Sequence, residues 1–272
     1  MKLLDIFKMG RKKQKVTLVL GGGSARGIAH IGVLKVLERE GVPIDSIMGT
    51  SMGALVGAAY SVGVPLNRME EIACGFTWDK LADFTFPKMA IIAGKRLGGV
   101  IEDILDSKTF EDMRIPMYVV TTDIERNEEI AHSSGDLKTL VRASCSWPGV
   151  FNPVQVGDRL LVDGGVKNSV PTRMARELCD GFMIASDVGF CVKIGKIDNI
   201  LQMMLQSFQI MGEELNRYQS NEADVIIKSD LGEIDQAAFN RSREIIKKGE
   251  DAAETKIGEI KERLGIKHGL RA

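Results

Sequence analysis

Residues 16–34, VTLVLGGGSARGIAHIGVL, constrain this chain more than any other stretch. Five apolar residues without polar alternation read as a strand buried on both faces. Three glycines break the run. A helical pattern follows over 28–41, with Ile31, Leu34 and Leu37 on one face and Gly41 as its terminator. Strand, glycine turn and helix in this order are the opening unit of a parallel sheet with crossover helices. Strands are expected again at 45–49, 116–124, 158–163, 181–187 and 223–231. Helices are expected over 52–63, 197–220 and 235–264, the last with Ile245, Ala252, Ile257, Ile260 and Leu264 as its apolar stripe. The expected class is α/β with a mostly parallel central sheet.

One domain spans about 16–265, because a strand-like segment separates the last two helices, and residues 266–272 read as a tail. Residues 76–105 mix large apolar residues, a proline and glycines without periodicity, and read equally as a lid or as an irregular piece packed on the core. Residues 1–15 form a basic N-terminal tail. Lys8, Arg11, Lys12, Lys13 and Lys15 offer a peripheral contact with anionic headgroups, and a solvated tail is the simpler reading. The apolar patch of this tail, Leu3, Leu4, Ile6 and Phe7, is too short for a signal peptide or a membrane span, so a cytoplasmic protein is expected, at most peripheral to the inner membrane surface.

With 36 basic against 37 acidic residues and few aromatics, nothing points to nucleic acid. Cys74, Cys145, Cys179 and Cys191 form no CxxC pair, and His30, His132 and His268 make no ligand spacing with them. Reduced thiols are expected, with no metal and no organic cofactor.

Chemistry enters at GTSMG, Gly49–Gly53, of the form G-x-S-x-G. The string alone is weak evidence, but Ser51 falls where a strand ends and a small-residue helix begins, as a nucleophile elbow requires. The Met52 amide then lies at a helix N-terminus, placed to stabilise negative charge. The competing reading of Ser51 is an ordinary helix N-cap. A base is harder to find. His268 lies in a polar tail, His132 in a turn-like stretch, and His30 on the first helix, where it is expected to pack or cap. Asp163, in LLVDGGVKNSVP, stands at a strand end before Gly164 and Gly165. A lone Asp-Gly is usually a turn, but burial beside Leu161 and Val166 would raise the carboxyl toward a useful basicity. The loop GGGSARG fails both the dinucleotide and the P-loop spacings. What remains is a run of unhindered amides at a helix start, with Arg26 adding positive charge, able to hold an oxyanion.

Together these residues resemble the patatin-like phospholipase family in its short bacterial form. The resemblance rests on the glycine loop ending Arg26-Gly27, the elbow Gly49-Thr50-Ser51-Met52-Gly53 and the motif Asp163-Gly164-Gly165, in that order. RASCSWPGVFNP (142–153) adds the family's Ser- and Pro-containing block. One departure is that Ser24 replaces the third loop glycine. The resemblance implies a three-layer sandwich and a Ser51–Asp163 dyad. It also implies an oxyanion hole from the amides around Gly22, Gly23 and Ser24, and lipid or other acyl ester substrates. The alternative on the same scaffold is a catalytically silent lipid-binding or regulatory protein.

Overall fold

The computed structural model describes residues 14–83, 89–190, 192, 196–219 and 222–266. The basic tail, apart from residues 14 and 15, and residues 267–272 lie outside these.

The opening unit forms as its pattern predicts. Strand β1 (Val16–Leu20) is followed by a 3-10 turn at Ser24–Ile28 and helix α1 (Ala29–Arg39). Strand β2 (Ser46–Thr50) leads into α2 (Met52–Ser61), then α3 (Leu66–Cys74) and the single turn α4 (Trp78–Leu81). Strand β3 (Ala90–Ile92) and helix α5 (Lys95–Leu105) precede β4 (Met117–Asp123) and β5 (Glu128–His132). Next come α6 (Leu137–Ser144), β6 (Gly149–Phe151), β7 (Val154–Val156) and β8 (Arg159–Asp163). The chain continues through α7 (Thr172–Leu178), β9 (Phe182–Asp187), α8 (Ile200–Gln219), β10 (Val225–Lys228) and α9 (Ser242–Leu264).

The main sheet runs β10-β9-β1-β2-β4-β8-β7, with β5 also paired to β4. It is parallel from β10 to β4 and antiparallel beyond. Residues alternate across it. Leu18, Leu20, Ile47 and Val119 face the larger cluster beneath α1, α2 and α9. Val19, Met48, Val120 and Met183 face a smaller cluster that includes Val170 and Ala175 of the α7 region. Helices thus cover both faces of a mostly parallel sheet. Helix α9 crosses α1 at contact distance: a Cβ on Gly249 would lie 2.0 Å from the Ala29 carbonyl oxygen, and one on Gly32 would lie 2.0 Å from that of Ile246.

Three expectations change. Residues 235–241 are not helical but form a loop and a 3-10 turn before α9. His132 ends β5 rather than lying in a turn. The described part of 76–105 contains ordered elements. Asp83 caps α5, its two carboxylate oxygens accepting from the Gly94 and Lys95 amides at 2.8 Å each, and β3 pairs with β6.

Candidate active site

The site grows out of the register of β4. Strand β2 pairs with residues 117–120 of β4 and ends with Thr50 opposite Val120. Strand β5 takes the other edge of β4 over residues 119–123. Strand β8 therefore occupies the edge that β2 vacates, running the opposite way and ending with Asp163 opposite Thr121. Two strands meet end to end along one edge, which brings Ser51 and Asp163 together although they are far apart in the chain. The Ser51 hydroxyl and the Asp163 carboxyl line one cavity, with the hydroxyl near enough to favour the ionised carboxyl.

Ser51 sits at φ 55° and ψ −124°, a conformation that costs a non-glycine residue about 1–3 kcal/mol. It occupies the N-cap position of α2, but its side chain makes no cap bond to the helix. The elbow glycines have steric reasons. A Cβ on Gly49 would lie 2.6 Å from the Gly53 carbonyl oxygen, and one on Gly53 would lie 2.2 Å from that of Leu20. A further residue fastens the turn. The Ser51 amide donates to Ser144 Oγ at 2.8 Å, and Ser144 Oγ donates to the Val120 carbonyl at 2.6 Å. Ser144 is fully buried at the end of α6. Within RASCSWPGVFNP nothing distinguished it from its neighbours, because its role depends on which amide folding brings to it.

Asp163 is 1% exposed, and burial pushes its carboxyl up to about 7, opposed by the nearby Ser51 hydroxyl and by the hydrogen bond from the Gly165 amide. The Gly165 bond, 2.8 Å to Oδ1, is the turn expected of Asp-Gly, and it coexists with the contact to Ser51. Gly164 packs on β4, where a Cβ would meet the Val120 carbonyl oxygen at 2.7 Å.

The glycine loop is pinned from below. The Gly21 amide donates to the Ser186 carbonyl at 3.1 Å, and the Gly22 amide donates to the Ser169 carbonyl at 2.9 Å. Gly22 was expected to offer its amide to an oxyanion and does not; that N–H is committed to holding the loop. The amides of Gly23, Ser24 and Met52 have no acceptor among the described residues. Ser24, the departure from the family pattern, has φ 51°, in the left-handed region that favours glycine. Arg26 also differs from expectation. It is 4% exposed, with Nε donating to the Val188 carbonyl at 3.0 Å and Nη1 to those of Gly232 and Ile234 at 3.1 and 2.9 Å. Its guanidinium clamps the loop to the segment before α9 rather than charging an anion site. Gly27 lets α2 approach, since a Cβ there would stand 2.6 Å from Met52 Cβ.

The two described histidines stand apart from the pair. His30 Nε2 donates to the Gly21 carbonyl at 2.7 Å, which leaves Nδ1 to accept from Ser186 Oγ at 2.8 Å. Burial lowers its pKa to about 4, so it is a neutral support under the loop. His132 Nε2 lies 2.8 Å from Thr121 Oγ1 and does not line the cavity, and His268 lies outside the described residues.

Ser51 and Asp163 open into a cavity of about 530 Å³. Its walls include Leu55, Leu81, Leu97, Val100, Val150 and Phe151, with described residues of the 76–105 segment forming one side. Leu205, Gln206 and Gln209 of α8 and residues 235–237 form another. Such a space suits an extended apolar group ending at Ser51. Among the described residues no group of His, Cys, Asp and Glu could hold a metal ion, and no helix is long and apolar enough to cross a membrane.

The chain is similar to known proteins in sequence and in fold. Residues 18–176 match the family model described as patatin-like phospholipase. The chain is 39% identical over 183 residues to patatin-like phospholipase domain-containing protein ZK370.4 of Caenorhabditis elegans, covering 64% of this chain and 14% of that protein. It is 35% identical over 224 residues to lysophospholipase nte1 of Emericella nidulans, covering 79% of this chain and 14% of that protein. It therefore spans about one seventh of the length of these relatives. Among solved structures, VipD from Legionella pneumophila has the same fold, with a TM-score of 0.62 at 14% identity over 91% of this chain and 67% of that one.

Proposed function

This chain belongs to the patatin-like phospholipase family, and from that premise we propose that it hydrolyses lipid acyl esters with Ser51 as nucleophile and Asp163 as general base. The observation that carries this reading is the meeting of Ser51 and Asp163 at a strained elbow that opens into an apolar cavity. A silent lipid-binding scaffold would have no use for the strain at Ser51 or for a buried carboxyl titrating near neutrality.

In the proposed reaction, Ser51 Oγ attacks the ester carbonyl carbon while its proton passes to Asp163. The carbonyl π electrons move to oxygen, and the amides of Gly23, Ser24 and Met52 receive that charge, each such donor contributing about 2.7–4 kcal/mol to the transition state. The intermediate collapses, the alcohol leaves with the proton from Asp163, and the acyl group stays on Ser51. Water then attacks with Asp163 again as base, releasing the fatty acid and restoring both side chains. A carboxyl near 7 is suited to both directions of transfer at neutral pH. The relatives named lysophospholipases make single-chain phospholipids the first substrates to assay.

The test compares p-nitrophenyl butyrate turnover and fluorophosphonate labelling in the parent and in Ser51→Ala. Turnover and labelling in the parent, both lost in a folded Ser51→Ala, are expected. Labelling that persists in the variant sinks Ser51, and a folded parent that neither turns over nor labels returns the silent alternative.

A further inference from the structure

Helix α8 is built the wrong way round for a surface helix in water. Its inner side carries the amides Gln206, Gln209 and Asn216 among Leu205, Phe208 and Gly212. Its outer side exposes Ile200, Met203, Met204, Ile210, Met211 and Leu215, with Ile200 78% and Met203 59% exposed, and Tyr218 extends the stripe at 75%. The orientation is set from within. Phe208 packs edge-on against Trp147 at 6.2 Å, Gly212 backs onto the Phe190 ring, and Asn216 Nδ2 donates to Asp187 Oδ2 at 3.0 Å. Together the outer side chains form an exposed apolar stripe along the helix, the kind of patch that marks an interaction surface.

We propose that the outer face of α8 is the surface by which this protein sits on a zwitterionic lipid layer, delivering substrate to the cavity behind the same helix. The proposal rests on reading that cavity as a lipid ester site. Two features select lipid over a second copy of the chain. First, residues 200–212 carry no charged side chain in a protein whose residues are 27% charged. The charged groups further along, Glu213 and Glu214, are bridged by Arg217 at 3.3 and 3.2 Å. Helices that pair with helices use flanking charges to set register, and this stripe has none along its apolar half. An uncharged, methionine-rich face instead adapts to a fluid partner and calls for no anionic headgroup. Second, the helix that carries this face is itself a wall of the site: Leu205, Gln206 and Gln209 on its inner side line the cavity that holds Ser51, so whatever the outer face rests on lies one helix away from the cavity.

The experiment floats the full chain, carrying Ser51→Ala to prevent turnover, with phosphatidylcholine vesicles at low and high salt. Flotation at both salts is expected. Adding Met204→Glu and Met211→Glu should cut the bound fraction by more than about tenfold, because each places a charge in the acyl layer. Leu178→Glu, at an exposed site on α7, should leave flotation unchanged. With Ser51 restored, the double variant should keep soluble-ester turnover and lose hydrolysis of vesicle-embedded lipid. Equal flotation of the double variant overturns the proposal. So does flotation that needs anionic lipid and disappears at high salt. A dimer in sedimentation velocity, broken by the double variant without vesicle binding, also overturns it and assigns the face to a second copy. Flotation lost only in the double variant, in a protein without ester turnover, supports this surface while removing the catalytic reading.

Discussion

Replacing Asp163 by asparagine should stabilise the protein as pH rises. Burial lifts this carboxyl from 3.8 to about 7, so between those values the folded chain holds a proton that the unfolded chain has released. Stability then falls with increasing pH over that window and levels off above it. At 1.36 kcal/mol per pKa unit, the aspartate costs the fold about 4 kcal/mol above pH 8 and less than half of that at pH 5. Asparagine removes the titration while keeping an acceptor for the Gly165 amide. Its own burial adds an offset that does not vary with pH. The stability difference, Asp163→Asn minus parent, should therefore grow by roughly 2–3 kcal/mol between pH 5 and pH 8. Urea denaturation of both proteins at pH 5, 6, 7 and 8 measures this, and the subtraction cancels every other titrating group. A difference that is flat with pH would show that the carboxyl titrates alike in both states, and the argument for a desolvated base would fail.

Further outcomes follow from the same geometry. The kcat/KM for a soluble ester should rise with pH through an apparent pKa of about 7 and then level off; a midpoint below pH 5 would identify a solvated carboxylate that cannot serve as base. Ser144→Ala strands the Ser51 amide and the Val120 carbonyl, a loss of about 1–3 kcal/mol. Its kcat should fall about tenfold or more with KM little changed, Ser144→Thr should restore it, and an unaltered kcat would leave Ser144 as packing only. Ser24→Gly should retain activity and gain about 1 kcal/mol in a denaturation titration, because glycine relieves the φ of 51°. Gly249→Ala should lower stability by at least about 1–3 kcal/mol, since its methyl would enter the Ala29 carbonyl, and a melt like the parent's would contradict the close crossing of α1 and α9.

How much of the site was legible varies residue by residue. Ser51 could be read because an elbow needs a serine between small residues at a strand-to-helix junction, and that requirement is local. Asp163 could be placed at a strand end, but its meeting with Ser51 depends on β8 taking the edge of β4 that β2 leaves, which is a matter of pairing. Ser144, the loop at 235–237 and the short strands β3, β6 and β7 went unread because their partners are distant in sequence.

The sequence by itself determined the local chemistry: a strand, a glycine turn and a helix, an elbow, an aspartate before two glycines. These rest on neighbouring backbone angles and side-chain size, which a short window contains. Tertiary structure alone decided which amides remain available, since Gly22 gives its N–H to Ser169 while Gly23 and Ser24 do not. It alone raised Asp163 by enclosing it, and it turned Arg26 from a charge for the anion into a clamp on three carbonyls. It also set α8 with its methionines outward. Solvation, the spending of hydrogen-bond donors and the choice of which helix face is covered depend on residues brought together by folding, and no stretch of neighbours encodes them.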